Sequence, residues 1–142
     1  MNVKLELSQL KTKHQQERNE VIYRRTNERN TLRTAYFKTI SHHESVYLKS
    51  RRELTAEIKR VSDALWIEAN ETSAKELEQL KETRQVLASN YENLRHCLKA
   101  ELKKALATSA YEERNELVTL GLEYTSQHFA ILERGREGGN ND

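Results

Sequence analysis

Apolar side chains recur along this chain in steps of three and four almost from end to end, the spacing that lines one face of a helix. In the first half the stripe runs through Leu7, Leu10, Val21, Leu32, Tyr36, Ile40, Tyr47, Leu54, Ile58, Val61 and Leu65. In the second it runs through Leu77, Leu80, Leu87, Tyr91, Leu94, Leu98, Leu102, Leu106, Leu117, Leu120, Tyr124 and Ile131. Polar residues keep the phase where apolar ones lapse: His14, Glu17, Arg25, Glu28, His43 and Arg51, then Arg84, Glu113 and His128. The stripes are separated by Ala69-Asn70-Glu71-Thr72-Ser73. Asparagine tolerates the left-handed conformation that ends a helix, and Ser73 with Glu76 forms a capping box. The pattern predicts one helical-hairpin domain over 1–134: helix one at about 2–69, a turn at 70–73, and helix two at about 74–134. The Gly-Asn-rich end, 135–142, is expected as a flexible tail.

In a hairpin, seam residues equidistant from the turn must face each other. The stripes match Leu65 with Leu77, Val61 with Leu80, Tyr47 with Leu94, Val21 with Leu120 and Leu10 with Ile131. The charged interruptions match as well: Arg25 with Glu116, Arg29 with Glu112, and Glu28 with Arg114. Exposed pairs of this kind contribute roughly 0–1 kcal/mol each, so their value lies in fixing register. The expected fold class is all-α, an antiparallel helical hairpin of two long, coiled-coil-like helices. The stripe advances about 3.6 residues per step, the period of a nearly straight pair. At ~1.5 Å per residue such helices would span about 90–100 Å. So slender a rod buries little area per residue, and dimerisation into a four-helix assembly is one way to cover more. Ser41 with Glu44, and Ser109 with Glu112, also resemble capping boxes and would split each long helix to give a four-helix bundle. Neither is accompanied by glycine or proline.

Composition agrees with long exposed helices. The 142 residues include no proline and four glycines, of which Gly121 alone lies in the body, and 32% are charged. Net charge is +2, unevenly spread: residues 1–60 carry 14 Lys or Arg against 7 Asp or Glu, and residues 61–142 carry 10 against 15. The arms are complementary, which favours pairing of one with the other. No stretch approaches the roughly 18 apolar residues of a membrane span, so no membrane insertion is expected. The single Cys97 suits a reducing compartment; a cytoplasmic location and a buried or half-buried thiol are expected.

Little catalytic chemistry is in view. His14 is expected to face His128, with His43 within a turn of His96, but too few further ligands converge for a metal, and no cofactor is expected. Glycine phosphate loops, nucleophile elbows and Glu-x-x-His pairs are missing, and a two-helix stalk offers no cleft, so the chain reads as non-enzymatic. More informative is apolar surplus outside the seam. Near the open end stand Val118, Leu122, Phe129 and Leu132, joined by Ile22, Tyr23 and Phe37; at the tip stand Trp66 and Ile67. Such strips mark association surfaces. The expected function is that of a structural or adaptor protein binding protein partners, or its own copy, as a subunit, stalk or inhibitor of a larger assembly. The alternative is a nucleic-acid-binding protein using the basic face of helix one, with Arg24, Arg25 and Arg29 as phosphate contacts.

Overall fold

The computed structural model describes residues 2–140, with side chains to Gly138. Two helices, α1 (Val3–Ile67) and α2 (Glu71–Asn140), pack antiparallel as an all-α hairpin. Neither breaks at Ser41 or Ser109. Threonine, which tends to compete with helical hydrogen bonding, is accommodated throughout: Thr12, Thr31, Thr39, Thr83, Thr108, Thr119 and Thr125 each donate to the carbonyl four residues back.

The turn lies earlier than the sequence predicts. Asn70 does not end α1 in a left-handed conformation; among the described residues none has positive φ. Its Oδ1 instead accepts from Ser73 N at 2.7 Å and caps α2, as Asn2 Oδ1 caps α1 by accepting from Leu5 N at 3.1 Å. Glu71 in the first turn favours this start through the helix dipole. Ser73 therefore sits inside α2. The other end also differs: positions 135–140, expected as tail, continue α2, and Asn141 and Asp142 lie outside the described residues. A Cβ built on half-buried Gly135 would come 2.5 Å from Val3 Cγ2, so a side chain there fits only if Val3 shifts.

The chain divides into two compact units, Met1–Leu32 with Lys104–Asp142 (unit 1), and Arg33–Lys103 (unit 2). In unit 1 the buried apolar residues are Val21 and Ile131; in unit 2 they are Ile58 and Val61, the latter 2% exposed. The remaining seam residues are half-buried as the periodicity implies, except that Ser50 takes the inward position in place of Arg51, which is exposed. Because the turn is earlier, ring partners shift by about one turn. Within unit 2, Tyr47 stacks on Tyr91 rather than on Leu94, with centroids 4.3 Å apart and planes at 3°. Within unit 1, His14 stacks on Tyr124 at 4.6 Å rather than facing His128.

Candidate protein-docking surface

Unit 1 carries more apolar surface than its seam uses. On α2, Val118, Leu122, Phe129 and Leu132 are all exposed, and so is Tyr111, which the sequence reading did not single out. With Asn115 and Thr125 between them they recur in alternating steps of three and four over about three heptads, a second coiled-coil-like row on the same helix. Tyr111, Val118, Phe129 and Leu132 immediately follow the inward residues Ala110, Leu117, His128 and Ile131, a rotation of about 100° from the seam. That offset is the signal that would have found Tyr111. In an antiparallel pair the residue following a seam position falls on the same side for both helices, so Ile22, which follows Val21, flanks the row from α1. Tyr23, exposed at 71%, is one position too far round to share it.

The other expected sites separate from this row. Phe37 belongs to unit 2, where it is exposed and meets Tyr36 edge-on at 5.5 Å. Trp66 and Ile67, also in unit 2, end α1 at 89% and 88% exposure. Leu5, Val46, Leu48 and Val86 are further exposed apolar residues that the pattern did not single out.

The three arginines expected to contact phosphate are already engaged inside unit 1. Arg25 donates from Nε to Glu116 at 2.9 Å and from Nη1 to Glu112 at 2.7 Å and to Glu28 at 3.0 Å. Arg24 also pairs with Glu116, and Arg29 donates to Glu113 at 3.2 Å. Arg25 thus finds the partner that the seam matching gave it. Arg29 takes Glu113 in place of Glu112, and Glu28 pairs within its own helix rather than with Arg114. The hydrogen bond from Arg25 holds the Glu116 carboxyl below the usual carboxylate range, against the opposing pull of desolvation. The same contact raises Arg25. Beside this network Ser109 is 1% exposed and its hydroxyl finds no partner among the described residues.

Candidate chemistry outside the row is sparse. Among the described residues no group of three His, Cys, Asp or Glu side chains is placed to hold a metal ion. His96 points into solvent beside Glu92, and the ring neighbour of His43 is His42. Cys97 is exposed rather than buried or half-buried, because the inward phase in that stretch falls on Leu94 and Leu98. Among the described residues no helix is long and apolar enough to cross a membrane. No protein-family model, curated protein or solved structure matches the chain.

Proposed function

We propose that this chain is a non-enzymatic structural or adaptor protein whose α2 row, Tyr111 to Leu132, receives an amphipathic helix of a protein partner. The observation that carries the reading is the row itself: five exposed apolar residues in coiled-coil phase on a helix whose seam stripe is already occupied by α1. A helix with two apolar stripes about 100° apart has the pattern of a member of a three- or four-helix assembly, where it meets two neighbours. The partner helix comes from another component of a larger assembly, in the cytoplasm, or from a second copy of this chain. Trp66 and Ile67 are the competing contact, a pair of apolar side chains at the end of α1.

Affinity purification with three baits tests this: the unaltered chain, Val118→Asp/Phe129→Asp, and Trp66→Asp/Ile67→Asp. A partner retained by the tip variant and lost from the α2 variant supports the row. Loss from the tip variant alone moves the contact to Trp66 and Ile67. Sedimentation equilibrium of the purified chain identifies the case in which the partner is its own copy.

A further inference from the structure

Unit 2 holds a belt of cations that the protein-docking reading leaves unused. One open groove, of about 530 Å³, is lined from α1 by Tyr47 and Arg51 and from α2 by Lys81, Arg84, Gln85 and Ala88. Arg51 also lines an adjoining groove with Leu48, Arg52, Thr55 and Lys59. Five cations therefore run together, Lys81 and Arg84 from one helix and Arg51, Arg52 and Lys59 from the other, and no carboxylate lines either groove. Among the described residues none of the five lies within ion-pair distance of a carboxylate, although Glu53, Glu78 and Glu82 are close in sequence. Arg24, Arg25 and Arg29 in unit 1, and Arg60 and Arg95 in unit 2, are paired with carboxylates, so what sets the belt apart is that its five cations line adjoining grooves together.

A recess lined by one sign of charge concentrates field and attracts a counter-charged ligand. Three of the five are guanidinium groups, whose planar forks match phosphate oxygens two at a time. Arg52 and Lys59 stand about 10 Å apart along the axis by helical rise, so the belt offers repeated charge to a repeated anion rather than one pocket to one ion. We propose that this belt binds the sugar–phosphate backbone of a nucleic acid without reading its sequence. Base readout by stacking has no platform there, since the Tyr47 ring is taken by Tyr91. A groove admits a strand, whereas a flat anionic lipid surface would reach its rim and leave half-buried Arg84 behind.

The test is fluorescence anisotropy of the full chain with a labelled mixed-sequence single strand and its duplex, between about 50 and 200 mM salt. Five phosphate contacts predict a log–log salt slope of about −3.5 for the single strand and about −4.5 for the duplex. Arg51→Ala/Lys81→Ala/Arg84→Ala removes three contacts, so for the single strand at about 0.1 M salt affinity falls by about 100-fold and the slope flattens by about 2. A charge-matched control in unit 1, Lys4→Ala/Lys11→Ala/Arg18→Ala, keeps the slope of the unaltered chain. Circular dichroism confirms that both variants stay helical; should the alanine triple lose helix, Arg51→Gln/Arg84→Gln replaces it with polar chains of similar length, and the expected slope change is about 1.5. Three results overturn the proposal: no binding at the lowest salt, equal losses in belt and control variants, or tighter belt-dependent binding to polyglutamate or phosphatidylserine vesicles than to either oligonucleotide.

Discussion

Gly121→Ala tests the packing of α2 in a place where the outcome has a definite sign. Gly121 lies in the interior of a continuous helix, has no positive φ, and a Cβ built on it meets nothing within 4 Å. Glycine in a helix interior costs about 0.5–1 kcal/mol relative to alanine, mostly through the backbone freedom it loses on folding. The new methyl group meets open space, so it adds neither burial nor clash, and the Thr125 Oγ1 to Gly121 O bond of 2.9 Å involves only backbone at this position. The expected gain is therefore about 0.5–1 kcal/mol, or a rise in Tm of about 2–3 °C for a chain of this size. Gly135→Ala is the internal contrast, because the same propensity gain meets a contact of 2.5 Å with Val3 Cγ2. β-Branched Val3 cannot withdraw without shifting the start of α1, so the second substitution yields less stability than the first or a net loss. Urea unfolding followed at 222 nm reads both, with the m-value as a check that the transition keeps its character. A destabilised Gly121→Ala protein, or equal gains at the two positions, would refute the packing described for α2.

Five further substitutions separate the parts of the hairpin. Asn70→Ala removes the cap on Ser73 N and should cost about 1 kcal/mol, whereas Ser73→Ala leaves that cap intact and should cost less than half as much in the same urea assay. Val61→Ala, at a side chain 2% exposed, should cost about 1.5–2.5 kcal/mol from two lost methyl groups and the cavity they leave. Trp66→Ala at 89% exposure should stay within about 0.5 kcal/mol of the unaltered chain. Glu116 carries a pH signature: its carboxyl sits below its ordinary value when folded, so its contribution is complete above the ordinary carboxylate range and fades as pH falls through the lowered value. Thermal melts of the unaltered protein and Glu116→Gln should therefore differ most near neutrality and converge in acid; a gap that widens as pH falls contradicts the Arg25–Glu116 account.

The seam was legible because burial in a two-helix structure is decided almost wholly by phase. His14, Glu17, Arg25, Glu28, Arg84 and Glu113 are half-buried despite their polarity, simply because the stripe brings them inward. The turn was less legible because Asn70 and Ser73 are overlapping starting points for α2, and asparagine serves either end of a helix. With Asn70 as the cap the turn lies earlier than a Ser73 start implies and the ring pairs move with it, so Tyr47 meets Tyr91 and His14 meets Tyr124. Long charged side chains absorb such an offset: Arg25 reaches both Glu112 and Glu116, a turn apart, and so kept its predicted partner. Glycines at the far end read as breakers by composition, while Gly135 serves a close helix approach that only three-dimensional packing reveals. The exposed apolar residues named from surplus are all exposed, yet their grouping was not legible. Phase places Ile22 beside the α2 row and turns Tyr23 away from it, and Phe37 falls in the other unit.

The central claim, that the α2 row receives a partner helix, is tested most directly by placing a benzophenone photo-cross-linker at Leu122 and, separately, at Ile67. Irradiation should give a discrete higher-mass protein adduct from position 122, abolished by the added Val118→Asp/Phe129→Asp change, with little from position 67. Adducts from position 67 alone, or from neither position, would contradict the claim.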